Sequence, residues 1–352
     1  MPTTLVEWVR ETLAKEVEET VCRLPNTPLS LTPLAGDAGF RQYYRANTVP
    51  ESLLVVAPVD AGRSESGAYF AELSERLRSY GVATPAIYAS DPDNNYLLIE
   101  SFGRTDLLDV LSPETVDRYY EQAQSMLLLL QKTPASAIEL PRYEPELLTQ
   151  EMLLFSQWFV NDMLAYTLSE AEERIIEDVM THLATSAREQ PQVLVHRDYH
   201  SRNLMLCDDG RLGVIDFQDA VYGPITYDLV SLLKDCYVRW APEQVDAWAM
   251  LYMQQAADAG LMKAVPQEQF MAWFHWMGLQ RHIKVLGIFA RLSIRDGKQR
   301  YLQDLPLVIR YVLEASHRYP QTQIFAQWFE DTLLPMIEAQ SWYTDYRAAG
   351  DQ

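Results

Sequence analysis

The sequence feature that most constrains this 352-residue chain is the stretch 192–219, QVLVHRDYHSRNLMLCDDGRLGVIDFQD. A short apolar run leads to Asp198, and Asn203 follows five residues later. The turn-forming residues 208–210, Asp-Asp-Gly, then precede a second apolar run that leads to Asp216. Short strands joined by such a turn form a hairpin. We therefore expect Asp198, Asn203 and Asp216 to lie at one edge of the folded chain.

These three side chains have the types and order that phosphoryl transfer uses in the signature H-R-D-x-x-x-x-N…D-F. The reaction needs an acceptor hydroxyl held in line and phosphate charge neutralised by a divalent metal. We assign Asp198 to orient and deprotonate the hydroxyl. Mg²⁺ prefers hard oxygen ligands and usually takes only one or two from the protein, so we assign it Asn203 and Asp216. The alternative is a hairpin whose polar residues only form turns and caps.

Composition limits the partners of the chain. Its net charge of −20 disfavours nucleic acid and anionic membrane surfaces, so we expect neither as a partner. Cys22, Cys207 and Cys236 show no zinc or disulfide spacing, which indicates free thiols in a reducing compartment. The longest apolar run, 126–130, is too short to span a membrane, and residues 1–20 lack the apolar core of a signal peptide. We expect a cytoplasmic protein.

The N-terminal region begins with helical periodicity over residues 3–20, and residues 31–45 then read as strand, turn and strand. Two glycines bracket the turn and leave it little side-chain bulk, so its main-chain N–H groups can cover phosphates. Most two-glycine hairpins bind nothing, but the position upstream of the 192–219 stretch favours this interpretation. We assign nucleotide binding to the turn and the start of the strand after it: Gly36, Asp37, Ala38, Gly39, Phe40, Arg41 and Arg45.

The third strand, expected at 52–57, lacks the lysine that in many kinases holds the α- and β-phosphates. No lysine occurs anywhere in residues 16–131. Either the chain has lost nucleotide affinity or another cation substitutes, with Arg41, Arg45 and Arg63 available. Our hypothesis is that Arg41 or Arg45 does part of this work.

A helix is expected at 65–79 and a strand at 96–100, followed by the short crossover Ser-Phe-Gly. A strand that leads into such a crossover is typical of the hinge of a two-lobed kinase. We therefore expect main-chain groups near Glu100 and Phe102 to contact adenine. The alternative is an ordinary strand end.

The remainder of the chain reads as mainly helical, with a polar connection at 137–150. The helices are expected at 114–130, 151–166, 169–187, 228–238, 243–258 and 267–290. The fold class is thus α+β, a protein-kinase-like bilobal fold. We expect a β-rich nucleotide-binding N-lobe at 1–101 and a catalytic and substrate-binding C-lobe at 102–352.

Two further features in the C-lobe have competing interpretations. Asp228 is either a helix N-cap, the favoured reading, or a charge that braces the catalytic loop through Arg197. A basic run also occurs in this acidic chain: Arg281, His282, Lys284, Arg291, Arg295 and Lys298. A solvated face is its simplest explanation, and a recess for an anionic substrate group is the alternative.

Residues 196–203, HRDYHSRN, resemble the H-x-D-x-H-x-x-N loop of the aminoglycoside phosphotransferase/choline kinase superfamily. Residues 215–219, IDFQD, resemble its metal-binding segment. The resemblance implies that His200 braces the loop and that Arg202 reaches the acceptor or a phosphate. It also makes Asp219 a candidate substrate group.

Within that superfamily the chain resembles the bacterial kinases of cell-wall recycling that act on the anomeric hydroxyl of amino sugars. The similar stretches are residues 36–41, 280–292 and 295–298. The resemblance implies ATP and Mg²⁺, and phosphate placed on the C1 hydroxyl of N-acetylmuramate and N-acetylglucosamine. The product would feed UDP-sugar synthesis and peptidoglycan recovery. Gly39 stands where a serine is expected, which removes a side-chain hydroxyl from the phosphate-covering turn.

N-acetylmuramate carries a lactyl carboxylate that N-acetylglucosamine lacks, and arginine suits a carboxylate. Arg202, Arg281 and Arg291 are the candidate partners. The rival enzyme phosphorylates another hydroxyl compound, such as an aminoglycoside, choline or homoserine, and the acid excess suits a polycationic aminoglycoside. The rival from another class is a catalytically silent nucleotide-binding protein, suggested by the missing lysine. We expect a monomer.

Overall fold

The computed structural model describes residues 4–15, 17–18, 21–24, 26–34, 41–59 and 67–351. The phosphate-covering turn assigned to Gly36, Asp37, Ala38, Gly39 and Phe40 lies outside the described residues, as does Arg63.

The chain forms two compact units that alternate along the sequence. The first unit comprises Met1–Ile138 and Arg202–Asp219, and the second comprises Glu139–Ser201 and Ala220–Gln352. The lobe boundary expected between residues 101 and 102 divides the chain at a different place and stays a prediction.

The first unit contains a five-stranded antiparallel sheet with the strand order β1-β2-β3-β5-β4. Its strands are β1 (Leu31–Pro33), β2 (Arg41–Ala46), β3 (Leu53–Pro58), β4 (Ile87–Asp91) and β5 (Tyr96–Glu100). Four of them, β1, β2, β3 and β5, were expected close to these positions, where short strand-like runs lie between turn-forming residues.

Helix α1 (Leu5–Lys15) covers one face of this sheet. Val9 on the helix packs with Val55 and Leu98 of the sheet, and all three side chains are fully buried. The described helix ends at Lys15, so the helix expected at 3–20 was too long.

The first unit is completed by α2 (Gly67–Ser79), α3 (Val116–Gln131) and a hairpin of β7 (Leu204–Leu206) and β8 (Leu212–Val214). The hairpin belongs to this unit because its strands bond to the earlier chain. The Leu206 N–H donates to the Thr105 carbonyl over 2.9 Å, and the Val214 N–H donates to the Ala83 carbonyl over 2.7 Å. The expected turn is present at its tip, with Gly210 at a φ of 82° that favours glycine.

The second unit is mainly helical, with one antiparallel pair formed by β6 (Gln192–Val195) and β9 (Val221–Pro224). Its helices are α4 (Pro145–Leu154), α5 (Glu170–Glu189), α6 (Thr226–Leu233), α7 (Pro242–Asp258), α8 (Gln267–Ile294), α9 (Leu305–His317), α10 (Gln323–Trp328) and α11 (Leu334–Glu338). Helix α8 lies in a core with Phe155, Phe159 and Phe329, which are fully buried.

Two expectations for this region were wrong in their bounds. The connection expected at 137–150 ends earlier, because Pro145 opens α4, a position where the missing N–H of proline costs nothing. Helix α4 then continues as a π-helix over Phe155–Met163. The helix expected at 228–238 is the shorter α6.

None of the helices in the described ranges has both the length and the apolar content needed to cross a membrane.

Candidate active site

In the first unit, the open end of the β7–β8 hairpin brings two of the expected site residues together. Leu204 pairs with Val214, and the Ile215 N–H donates to the Asn203 carbonyl over 3.1 Å. Asn203 Nδ2 therefore lies 3.5 Å from Asp216 Oδ2. Both side chains bear the hard oxygen atoms that Mg²⁺ prefers.

Asp216 has an unusual main-chain conformation with φ at 64°, in the left-handed region that non-glycine residues rarely adopt. The Gln218 amide donates to Asp216 Oδ1 over 2.8 Å and fixes the orientation of the carboxylate. Backbone strain of this kind is kept where the surrounding structure enforces it, typically at functional sites.

An aromatic stack connects this segment to helix α2 and to Arg41 of strand β2. Phe217 is fully buried and stacks on Phe70 of α2, with 4.8 Å between ring centroids. The Arg41 guanidinium lies 5.0 Å from the centroid of the same Phe70 ring. Arg41 thus packs on the same aromatic stack as Phe217, which directly follows Asp216 in the sequence.

Arg45 is positioned differently from Arg41, since its guanidinium binds the crossover after β5. It donates to Ser101 Oγ over 2.9 Å and to the Gly103 carbonyl over 2.9 Å, and only 8% of the residue is exposed. Both terminal nitrogens are therefore engaged at the crossover.

The expected hinge residues have separate roles. The Glu100 carboxylate accepts the Ala86 N–H over 3.0 Å, and the Glu100 N–H donates to the Ala86 carbonyl. The Phe102 ring packs on Gly213 of β8 and leaves no space for a Cβ there. Among the described residues, no hydrogen bond uses the main-chain N–H or carbonyl of Phe102.

Two other expected residues lie in the first unit. Asp219 is exposed, and Arg202 is half-buried. Burial raises the pKa of Asp106, and the charge of Arg202 opposes that rise, so these two side chains lie within electrostatic range.

In the second unit, Asp198 lies on the loop after β6, and two buried carboxylates hold that loop through its main chain. Asp228 accepts the His196 N–H over 2.6 Å and the Arg197 N–H over 3.0 Å. Asp235 accepts both the N–H and the hydroxyl of Ser201, over 2.9 and 2.5 Å. Arg197 has a φ of 78°, so the loop is strained where Asp228 binds it.

The N-cap interpretation of Asp228 was wrong, because Ile225 precedes the first residue of α6. Asp228 braces the loop that carries Asp198 through two N–H groups rather than through the Arg197 side chain. Burial raises the pKa of this carboxyl to about 7, although the two N–H bonds favour its charged form.

Asp198 lies in a positively charged surrounding. Arg281 Nη2 is 3.7 Å from Asp198 Oδ1, and Arg281 Nη1 donates to the Arg197 carbonyl over 2.8 Å. Desolvation favours the neutral acid, but the charges of Arg281 and Lys284 outweigh it and lower the pKa of Asp198 below its ordinary value. The carboxylate, which is 47% exposed, is therefore ionised at neutral pH.

A buried network continues from this loop. The carboxylate of Glu151 binds Arg197 and accepts from the Lys284 ammonium over 3.0 Å. Lys284 also donates to the Tyr227 hydroxyl over 3.0 Å, and the Tyr143 hydroxyl binds Glu151. A buried ion pair such as Lys284–Glu151 is maintained only with good geometry and further hydrogen bonds, and both occur here.

The solvated-face interpretation of the basic run was wrong for its first members. Arg281, His282 and Lys284 are 5%, 1% and 5% exposed. Arg291 is half-buried on the same helix, ten residues beyond Arg281, which is a rise of about 15 Å. The structure therefore brings Arg281 to Asp198, whereas Arg291 lies nearly three turns further along α8.

Among the described residues, the His200 side chain makes a ring contact and no hydrogen bond. Its imidazole meets the Tyr237 ring edge-on, with 5.5 Å between centroids. Burial lowers the pKa of His200. Its Nδ1 is buried and has no hydrogen-bond partner among the described residues.

Three features that organise the loop carrying Asp198 were not predicted from the sequence: the contacts of Asp235, the contacts of Glu151 and the structural role of Lys284. Glu151 precedes Lys284 by more than 100 positions, so no local pattern connects them. A signal existed for Asp235, because it lies in the apolar stretch expected to form a helix at 228–238, where a charged residue is rarely buried without a partner.

The model of the phosphotransferase enzyme family matches residues 30–264, and the chain belongs to this family. This range includes the β7–β8 hairpin and the loop that carries Asp198.

Curated relatives have a more specific description. The chain is 40% identical over 293 residues to an N-acetylmuramate/N-acetylglucosamine kinase of Pseudomonas putida, covering 83% of this chain and 85% of that protein. It is 40% identical to the protein of that name from Pseudomonas aeruginosa, covering 84% and 86%. A third, from Neisseria meningitidis serogroup B, is 36% identical, covering 84% and 89%.

Solved structures agree on the fold at low sequence identity. The ADP-bound aminoglycoside phosphotransferase APH(2'')-Ib has a TM-score of 0.58 at 16% identity, covering 90% of this chain and 99% of that chain. A choline/ethanolamine kinase family protein from Mesorhizobium loti has a TM-score of 0.56 at 14% identity, covering 92% and 98%. The α+β, protein-kinase-like fold class expected from the sequence is confirmed.

Proposed function

We propose that this enzyme transfers the γ-phosphoryl group of ATP to the C1 hydroxyl of N-acetylmuramate and N-acetylglucosamine. The observation that carries the proposal is the likeness to kinases named for these two sugars, at 40% identity over 83% of the chain. The geometry of the site supports the phosphoryl-transfer part independently.

The metal assignment is supported by the chemistry of the donor pair. Asn203 and Asp216 offer an amide oxygen and a carboxylate from side chains 3.5 Å apart, which fits a cation that takes one or two protein ligands and completes its shell with phosphate and water. Bound Mg²⁺ would neutralise charge on the transferring phosphoryl group. Gln218 keeps the Asp216 carboxylate oriented for this role.

Asp198 is proposed to orient the sugar hydroxyl and accept its proton. The lowered pKa of Asp198 keeps the carboxylate ionised at neutral pH, so it is ready to accept a hydrogen bond from the hydroxyl. Three cations, Arg197, Arg281 and Lys284, surround two carboxylates in this network, Asp198 and Glu151. The positive excess suits an acceptor that bears a carboxylate, as N-acetylmuramate does, and disfavours a polycation.

Nucleotide binding is proposed for Arg41 and the main chain of Phe102. Arg41 is fixed by the stack on Phe70, while both terminal nitrogens of Arg45 are engaged at the crossover. We therefore favour Arg41 as the substitute for the missing strand lysine and Arg45 as a residue that holds the hinge. The N–H and carbonyl of Phe102 are available to adenine.

The remaining expectations stay proposals. His200, Arg202 and Asp219 are candidates for loop support and for contact with the acceptor or a phosphate. The three free cysteines support a reducing, cytoplasmic location. The expected monomer and the product's use in peptidoglycan recovery stay predictions.

The test is an acceptor panel with ATP and Mg²⁺ that contains N-acetylmuramate, N-acetylglucosamine, choline, homoserine and an aminoglycoside. We expect turnover with the two amino sugars, and a ³¹P NMR signal coupled to the anomeric proton. Phosphate on another hydroxyl, or turnover confined to the other acceptors, would refute the proposal.

A matched variant separates an active enzyme from a silent nucleotide-binding protein. Asp198→Asn should lower kcat by about 10²–10⁴-fold, because the carboxylate that accepts the proton is lost. The dissociation constant of ATP should stay the same. A wild-type protein that binds ATP but turns over no acceptor would support the silent alternative.

A further inference from the structure

A cavity of about 280 Å³ lies wholly within the second unit, between the end of α6 and helices α7, α8 and α9. Trp240, Val245 and Tyr311 supply apolar wall area, and Lys234 and Arg239 supply cationic groups. None of the loop residues 196–201 lines it. The volume is near the lower end of the range of about 300–1,000 Å³ for small-molecule sites.

Most charged groups that line the cavity are already paired. Asp246 accepts from Arg318 over 2.7 Å and lies 3.1 Å from His275 Nε2. Glu314 accepts from Arg239 Nη2 over 2.7 Å. The two carboxylates of the wall are therefore occupied by its arginines and its histidine.

Two donors of the wall have no partner among the described residues. Lys234 makes no ion pair there and its ammonium forms no hydrogen bond, although it lies 5.2 Å from the centroid of the Phe274 ring. Arg239 is 9% exposed, and its Nε is buried without a hydrogen-bond partner. Lys234 is half-buried, whereas the buried Nε of Arg239 is a donor that is costly to leave without an acceptor.

The cavity thus has an excess of positive charge in a chain whose net charge is −20. Among the lining residues, Lys234, Arg239 and Arg318 oppose Asp246 and Glu314, and His275 is neutral because burial lowers its pKa to about 4. Arg239 Nη1 also lies 3.5 Å from Asp351 Oδ1, so Lys234 is the lining cation that has no carboxylate partner among the described residues. Burial lowers the pKa of Lys234 to about 8, so the ammonium is mostly charged at pH 7.

We propose that this cavity binds a small organic carboxylate, whose charged end is received by Lys234 and Arg239 and whose apolar part packs on Trp240 and Tyr311. The site is separate from the phosphotransfer site and does not depend on the proposed sugar substrate. Its ligand is a monoanion with a compact apolar body, because a wall of mixed aromatic and aliphatic groups surrounds one unpaired ammonium.

Calorimetric titration of the full-length protein with benzoate and with benzamide tests this proposal. The two probes have nearly the same shape and differ in charge. We expect benzoate to bind with a dissociation constant on the order of 1 mM, and benzamide to bind at least tenfold more weakly. Equal binding of both probes, or no binding of benzoate, would overturn the proposal.

Variants then locate the binding. Lys234→Met replaces a half-buried ammonium that makes no ion pair among the described residues with an apolar chain of similar length, so it should fold and should weaken benzoate binding at least tenfold. Lys263→Met changes an exposed lysine outside the cavity and should leave binding unchanged. Benzoate binding that survives Lys234→Met contradicts the assignment.

A measurement on the unaltered protein makes the test independent of variant folding. In crystals grown with 4-bromobenzoate, the anomalous bromine signal should lie in the cavity beside Trp240 and Tyr311. Bromine density found only elsewhere on the protein would show that the cavity is not the site.

Discussion

Arg281 connects two parts of the loop that carries the proposed base. It binds the Arg197 carbonyl over 2.8 Å and lies 3.7 Å from the Asp198 carboxylate. Because it is 5% exposed, its loss cannot be compensated by water without rearrangement. Its contacts are those of a residue that positions Asp198, whatever it also does for a substrate carboxylate.

We predict that Arg281→Met lowers kcat about 10²-fold, since Asp198 loses a buried partner. The acid limb of the pH profile of kcat/KM should move to higher pH, because a cation that lowers the pKa of Asp198 is gone. Steady-state kinetics between pH 4 and pH 9 measure both effects.

The matched control is Arg291→Met, on the same helix but not near Asp198. It should leave the acid limb in place. If Arg281 also binds the lactyl carboxylate, its loss should reduce activity on N-acetylmuramate more than on N-acetylglucosamine. An unchanged ratio after Arg202, Arg281 and Arg291 are each replaced would reject the arginine–carboxylate hypothesis.

The two strand arginines should differ in their kinetics. Arg41→Ala should raise the KM for ATP about tenfold, because a charge-assisted contact to phosphate contributes roughly 1.5 kcal/mol or more. Arg41→Lys should recover part of that loss. Fluorescence titration with an ATP analogue measures nucleotide affinity directly.

Arg45→Ala provides the comparison, because its contacts are with Ser101 and Gly103. Arg45→Ala should lower the melting temperature and should change the affinities for ATP and for its analogues by the same factor. The assignment to Arg41 fails if Arg41→Ala leaves the KM for ATP unchanged. The wider hypothesis that Arg41 or Arg45 replaces the missing lysine fails if replacing both by Ala leaves that KM unchanged.

At the scale of elements, α8 passes very close to the α4 junction at a single glycine. A Cβ at Gly287 would lie 2.6 Å from the Leu154 carbonyl oxygen, and this atom belongs to the main chain and cannot rotate away. The close approach lets α8 bury one long face in the core of the second unit.

We predict that Gly287→Ala destabilises the protein by about 1–3 kcal/mol or more, since the helices must separate. Gly278→Ala, on the same helix, is the control. Its Cβ would meet Lys234 Cδ at 3.5 Å, an ordinary contact, so the gain in helix propensity of about 1 kcal/mol should appear. Urea unfolding measures both, and equal stability of the two variants would contradict the packing argument.

Local patterns predicted the elements better than their connections. The strands β2, β3 and β5 and helices α3, α5, α7 and α8 follow apolar periodicity that is visible along the chain. Helix α4 was missed at its start because Pro145 was read as part of a loop, although proline is favoured in a first helical turn.

The site was predictable where its residues are close in sequence. Asn203 and Asp216 flank one hairpin, so their turn determines their proximity. The burial of Lys284 was not predictable, because it depends on Glu151 and Tyr227, which the fold brings from distant parts of the chain. The run of basic residues on α8, considered alone, therefore suggested a solvated face, whereas Lys284 belongs to a buried network.

At the scale of the whole molecule, buried histidines make stability depend on acid. His275 is 1% exposed, and burial lowers its pKa to about 4, while an unfolded histidine titrates near 6.5. The unfolded chain thus binds more protons between these values. The stabilisation is complete above about pH 6.5 and is lost as the pH falls toward 4.

We predict that His275→Gln reduces the loss of unfolding free energy between pH 6.5 and pH 4 by an amount on the order of 3 kcal/mol. His317→Gln replaces a histidine whose side chain is 49% exposed and serves as the control. Urea unfolding across this pH range measures the slopes. Parallel slopes for wild type and His275→Gln would contradict the prediction.

The alternation of the two units along the chain has a consequence for synthesis on the ribosome. The β7–β8 hairpin forms hydrogen bonds with Thr105 and Ala83. These two residues are synthesised more than a hundred residues before their partners in the hairpin. The first unit consequently stays incomplete until residue 219 has emerged, by which time residues 139–201 of the second are already outside. The first unit therefore gains Asp216 and the hydrogen bonds of its β7–β8 hairpin only after synthesis of the second unit has begun.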